Sequence, residues 1–109
     1  MVKRTPPTHP RMQRQIAALG QRLRAARMRR SMTQEVMAER VGVSVPTLSK
    51  LENGDPTISL AAVLRALIVL GLAGDIDLIA AEDKRGRELQ DSALRRSNAR
   101  RPPPASPKP

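Results

Sequence analysis

Five residues in one short stretch, Val45, Pro46, Thr47, Ser49 and Lys50, combine small or polar side chains with a single ammonium group. Set near the N-terminus of a helix, such side chains suit entry into a DNA major groove, where base edges and phosphates lie within reach. Lys50 has the clearest chemistry, because its ammonium donates to guanine O6 or N7. Ser44 and Arg40 are of the right type to hold phosphates beside it. Gln34 opens a preceding helix, where its side chain and a free backbone amide both suit a phosphate oxygen.

These residues need a scaffold, and the stretch TQEVMAERVGVSVPTLSKLENG, residues 33–54, supplies one. Thr33 is an N-cap candidate, and Met37, Ala38 and Val41 fall at helical spacing on one side of the helix it would start. Gly42 sits where a C-terminal cap needs a left-handed residue. Ser44 offers a second N-cap, with Leu48 and Leu51 as the buried face of the next helix. Ala38 is small enough to let the two helices approach closely. Pro46 sets two starts for that second helix against each other: Ser44 as cap, or Val45 as cap with Pro46 first. The preference of proline for the first helical position favours the latter. Together these are the signs of a helix-turn-helix, although spacing alone equally allows an ordinary helical hairpin.

The residue types narrow the choice. Gln34, Met37, Ala38, Gly42-Val43-Ser44, Leu48 and Leu51-Glu52-Asn53-Gly54 resemble the Xre/Cro/C1 family of helix-turn-helix proteins, which includes the lambdoid phage repressors. The resemblance runs from Leu19-Gly20 to Leu70-Gly71, about half the chain. It implies an all-α fold, a compact bundle of about five helices that binds double-stranded operator DNA as a repressor. It further implies that Asn53 and the backbone at Gly54 contact phosphate. By the same resemblance Arg27 pairs with Glu52, tying the first helix to the end of the recognition helix; without it, Arg27 reads as one more surface arginine.

Composition bounds the rest. The 109 residues contain no Cys, which excludes disulfides and cysteine-ligated zinc, and no aromatic residue, so the core must be aliphatic. No apolar run approaches the ~20 residues of a membrane span, and the N-terminus lacks the apolar centre of a secretory signal. A soluble cytoplasmic protein is expected, nucleoid-associated when bound to DNA. No phosphate loop, metal-spaced cluster or nucleophile beside a base is present, so neither enzyme activity nor a cofactor or metal is expected. His9, the only histidine, has no partners for such work and reads as solvent-exposed.

The net charge of +10 is unevenly placed. Residues 1–18 carry Lys3, Arg4, Arg11 and Arg14 without an acid, for +4. Residues 95–109 carry Arg95, Arg96, Arg100, Arg101 and Lys108, for +5. Residues 19–80 come to +2 and residues 81–94 to −1, so the ends flank a nearly balanced centre. Basic arms around such a centre suggest a polyanion partner.

The chain accordingly divides into three regions: a flexible arm over 1–10, a DNA-binding domain over 11–82, and a weakly structured basic, Pro-rich tail over 83–109. Pro6, Pro7 and Pro10 argue against regular structure in the arm. Met12, Ile16, Leu19, Leu23 and Ala26 then form one stripe of a helix beginning at Arg11 or Met12 and ending at Arg29 or Arg30. Gly20 beside that stripe suggests close packing. Ser59 caps a fourth helix that ends at Gly71 and is apolar over most of its circumference. Part of that surface closes the core; the rest, Leu67 and Ile68 with Leu72 and Ile76 from a short helix begun by Asp75, is a candidate homodimer interface. Beyond Asp83, Leu89 and Leu94 support only a marginal helix or a disordered segment. That segment also resembles the ends of short HipB-like antitoxins, which implies a toxin protein as a further partner.

Overall fold

The computed structural model describes residues 9–100. Most of the expected N-terminal arm and the Pro-rich end of the tail lie outside the described residues. Among the described residues all regular structure is helical: α1 (Pro10–Arg29), α2 (Gln34–Val41), α3 (Val45–Glu52), α4 (Leu60–Leu70), a 3-10 helix (Ala73–Leu78) and α5 (Lys84–Arg100). The contacts divide the chain into one unit ending at Ile76 and a second beginning at Asp77.

Each helix start is fixed by a side chain that satisfies a free amide. Thr33 accepts from the Val36 amide at 3.2 Å and Ser59 from the Ala62 amide at 3.1 Å. Ser44 accepts from the Thr47 amide at 3.2 Å, so α3 starts at Val45. This corrects the expected Val45 cap with Pro46 first. Pro46 occupies the second helical position, where no intrahelical partner for an N–H exists to be lost, and the capping bond passes over it to Thr47. Pro10 likewise begins α1 instead of preventing it, because proline is preorganised for the first helical position. His9 is exposed as expected, and it caps α1: its Nδ1 accepts from the Arg11 amide at 3.2 Å.

The four helices of the first unit end alike. The amide five residues beyond bonds back into the last turn: Met32 to the Arg27 carbonyl (3.3 Å), Val43 to Ala38 (3.0 Å), Asp55 to Lys50 (2.9 Å) and Leu72 to Leu67 (2.8 Å). The closure needs one left-handed residue. Gly42 supplies it after α2 at φ 81°, with nothing within 4 Å of where a β-carbon would stand, so backbone conformation alone selects glycine there. After α1 the position is filled by Ser31 at φ 54°, against the preference of a side chain.

Leu23, Ala26, Met37, Ala38, Val41, Leu48, Leu51, Ala66, Leu67 and Leu70 form the core, with Met37 and Leu48 the largest fully buried side chains. The helical stripe of α1 turns outward toward its start: Leu23 and Ala26 are in the core, while Met12 is 45% exposed. α1 also lies unusually close to the end of α3. A β-carbon on Gly20 would stand 2.6 Å from the carbonyl oxygens of both Leu51 and Glu52. One on Gly54 would stand 2.6 Å from the α-carbon of Ala17. The loss of helix propensity at Gly20 is therefore exchanged for direct backbone-to-backbone packing.

In the second unit, the expected marginal segment is a helix of 17 residues, α5. Asp83 starts it, its Oδ1 accepting from the Gly86 amide at 2.9 Å. Two exposed pairs, Arg85–Glu88 at 3.7 Å and Arg87–Glu82 at 3.9 Å, add little at such distances and exposure. Asp75 begins no α-helix; it lies in the first turn of the 3-10 helix.

Candidate nucleic-acid interface

α3 presents its residues in two sets. Leu48, Leu51 and Glu52 are buried, which fixes the roll of the helix. Pro46 and Lys50 are exposed, Thr47 and Ser49 half-buried at the margin. Val45 is also half-buried but packs against the core, so it offers less to an incoming base than its neighbours. The polar side chains are ordered among themselves: Ser44 Oγ donates to Thr47 Oγ1 at 2.9 Å, and Asn53 Nδ2 to Ser49 Oγ at 3.4 Å. The hydroxyls thus have defined positions before any ligand arrives, which limits what binding must order.

The end of α3 is secured from both α1 and α2. Arg27 Nε donates to Glu52 Oε2 at 2.7 Å and Arg27 Nη2 to Glu52 Oε1 at 3.0 Å, a two-point pair with both residues under a tenth exposed. Arg27 Nη1 donates to the Met32 carbonyl at 2.8 Å in the α1–α2 connection. Gln34 Nε2 donates to Glu52 Oε1 at 3.1 Å, so one side-chain donor of this residue faces inward. Among the described residues no buried side-chain nitrogen or oxygen is left without a partner. A satisfied pair of this kind contributes little net stability, yet removing one member leaves a buried charge unpaired.

The other sequence-derived candidates are placed as follows. Asn53 and Ser44 are exposed, at opposite ends of α3. Arg40 is exposed near the end of α2 and its Nη1 rests 3.4 Å from the sulfur of Met32, leaving further guanidinium donors for a phosphate. The supposed dimer residues separate. Leu67 is only 6% exposed and belongs to the core, which removes it from any interface, while Ile68 is 63% exposed. Leu72 and Ile76 are half-buried against the core.

Two contacts add to the site beyond the candidate residues. Gln13 Nε2 donates to the Gly54 carbonyl at 2.8 Å, bringing the first turns of α1 to the turn that closes α3. Arg11 and Arg14, both exposed, flank Gln13 in the chain and add positive charge on those turns. No local signal marks a glutamine for a contact 41 residues away. The second feature is Asp55, whose Oδ1 accepts from the Thr57 hydroxyl at 2.6 Å and its amide at 2.8 Å. Those bonds, helped by the charge of Lys50, hold its carboxyl below the usual carboxylate value. The motif Asp-Pro-Thr could have suggested such a turn.

Two helices joined by a glycine turn, the second rolled so that a polar edge faces outward and braced at its end by the first helix, define a helix-turn-helix protein. A family model for the helix-turn-helix domain matches residues 18–78, more than half of the chain, and the chain belongs to that family. No curated protein and no solved structure matches. DNA is accordingly the indicated partner. Among the described residues no helix is long and apolar enough to cross a membrane, and no group of three or more potential metal ligands is present.

Proposed function

We propose that the chain is a sequence-specific transcriptional regulator, a repressor of the Xre/Cro/C1 kind, acting as a homodimer on operator DNA. The observation that carries this reading is the outward edge of α3, where Lys50 stands beside the ordered hydroxyls of Thr47 and Ser49 on a helix held from behind by Arg27, Glu52 and Gly20. In the major groove Lys50 donates to a guanine, and Thr47 and Ser49 accept from or donate to neighbouring base edges. Phosphates on either side are taken by Ser44 and the amides at the start of α3, by the outward side of Gln34, by Arg40, and by Asn53 with Arg11 and Arg14. No cofactor enters this scheme, and repression follows from occupancy of the site.

Selection of binders from a pool of random duplexes tests the reading. The expected product is one enriched sequence with two related halves about one helical turn apart. A pool that binds but never converges would contradict base reading and leave only a general affinity for polyanions.

A second reading, an antitoxin that also neutralises a protein toxin, draws on α5, which leaves Leu89 and Leu94 52% and 56% exposed. It expects Leu89→Glu with Leu94→Glu to abolish capture of the toxin while the selected duplex is still bound.

A further inference from the structure

Between α1 and the start of α4 the first unit holds an open cavity of about 180 Å³. Ile16, Leu19 and Leu23 line it from α1, and Ile58, Leu60 and Val63 from the other side. Gly20 and Leu51, where α1 meets the end of α3, line it as well. The chain has no Phe, Tyr or Trp, and the aliphatic side chains around this space leave it unfilled. An engineered apolar cavity of about 150 Å³ takes up benzene, so the space here suits one ring or a short branched alkyl group.

One charged residue, Asp55, joins that lining. Its Oδ1 is taken by the hydroxyl and the amide of Thr57, whereas Oδ2 accepts no bond among the described residues. The Thr57 bonds hold the carboxyl below the usual carboxylate value, so it carries its charge at neutral pH. An apolar space bordered by a single ionised carboxylate selects by charge as well as by size.

We infer that this cavity is a binding site for a small amphiphilic cation, a ring-sized apolar group carrying an ammonium or guanidinium on a short linker. The apolar group displaces water from the aliphatic walls, and the cation donates to Asp55 Oδ2. A neutral molecule of the same shape forgoes the charge-assisted bond, and an anion is repelled. A ligand of about nine heavy atoms in so open a site should bind with a Kd on the order of 0.1–1 mM.

Asp55 also connects the cavity to α3. Its amide donates to the Lys50 carbonyl at 2.9 Å, and the charge of Lys50 acts on its carboxyl. A cation bound at Oδ2 offsets that carboxylate and so removes an opposing charge from the neighbourhood of Lys50. This consequence rests on the regulator reading above: the ligand acts together with the protein, raising duplex affinity on the order of twofold to fivefold at low salt.

The full chain labelled at its isoleucine methyls supplies the test, because Ile16 and Ile58 line the cavity while Ile68 and Ile79 are exposed elsewhere. Titration with phenethylammonium should shift the Ile16 and Ile58 signals saturably and leave Ile68 and Ile79 in place. Hydrocinnamate, an anion of similar shape, and ethylammonium, which lacks the ring, should each bind at least about tenfold more weakly. Asp55→Asn should bring phenethylammonium and phenethyl alcohol to equal affinity, with circular dichroism unchanged. Val63→Phe sets a ring into the space and should abolish the shifts. Unmoved Ile16 and Ile58 signals, equal affinity for cation and anion, or an Asp55→Asn protein that keeps the preference for the cation would overturn the site. So would Ile16 and Ile58 signals that move with protein concentration alone, since a second copy would then fill the cavity. Duplex affinity with and without phenethylammonium separates the two levels. Protein that binds the cation and no duplex would refute the regulator and leave the site, and protein that binds duplex and no cation would do the reverse. A bound cation that leaves duplex affinity unchanged would refute the link through Asp55 and Lys50.

Discussion

Gly20→Ala sets two known effects against each other, and the structure decides between them. In an exposed helix the change stabilises, since alanine is favoured over glycine by about 1 kcal/mol. Here the new methyl would lie 2.6 Å from two carbonyl oxygens, those of Leu51 and Glu52. Both are backbone atoms at the end of α3 and cannot rotate away, so α1 and α3 must separate. Overpacking of this kind costs typically 1–3 kcal/mol, toward the upper end, about 2–3 kcal/mol, where only backbone can yield. The expected net change is a loss of about 1–2 kcal/mol, a fall in Tm of roughly 4–16 °C for a domain of this size. Urea unfolding followed by far-ultraviolet circular dichroism measures it, with Gly74→Ala as the control. Gly74 has nothing within 4 Å of its β-position and no positive φ, so alanine there should be neutral or slightly stabilising. DNA affinity should fall with Gly20→Ala even at temperatures where the protein stays folded, because the separation reaches α3. A Gly20→Ala protein as stable as the wild type would refute the close approach of α1 and α3.

Other expectations rest on the same contacts. Arg27→Ala leaves the Glu52 carboxylate buried and unpaired and should cost about 3–5 kcal/mol, whereas Arg27→Met with Glu52→Leu should recover most of it; equal losses would show that the pair itself supplies the stability. Ser31→Gly relieves a side chain at φ 54° and should raise stability by about 1 kcal/mol in the same urea assay. Asp55 binds its proton less readily folded than unfolded, so its contribution is complete above the ordinary value of 3.8 and is lost as pH falls through the lower folded value. Thermal unfolding between pH 6 and pH 2 should accordingly show a smaller acid decline for Asp55→Asn than for the wild type; identical declines would remove this role.

How far the sequence carried depends on the range of each interaction. Thr33, Ser59, Gly42 and Gly71 act within one turn of their helices, and their residue types announced them. Met37, Ala38, Val41, Leu48 and Leu51 announced the core of the helix pair through spacing alone. Pro46 misled because its effect on the preceding residue is a bias, which the serine cap outweighed. Leu67 and Ile68 were confused because a helix apolar on every side carries no periodic mark of which side faces in. The contact of Gln13 with Gly54 is set by tertiary packing and has no local pattern. The segment after Asp83 carries too few apolar residues for periodicity to decide between a marginal helix and a disordered segment, and the Asp83 cap that starts the helix was missed.

Base reading by α3 through Lys50 is the central claim, and one comparison tests it most directly. Wild type and Lys50→Ala are titrated at fixed salt against the duplex recovered by selection and against a scrambled duplex of the same composition. The expected result is a loss of about 1–3 kcal/mol on the selected duplex and a much smaller one on the scrambled duplex. Equal losses on both would contradict the claim, because Lys50 would then contact only phosphate.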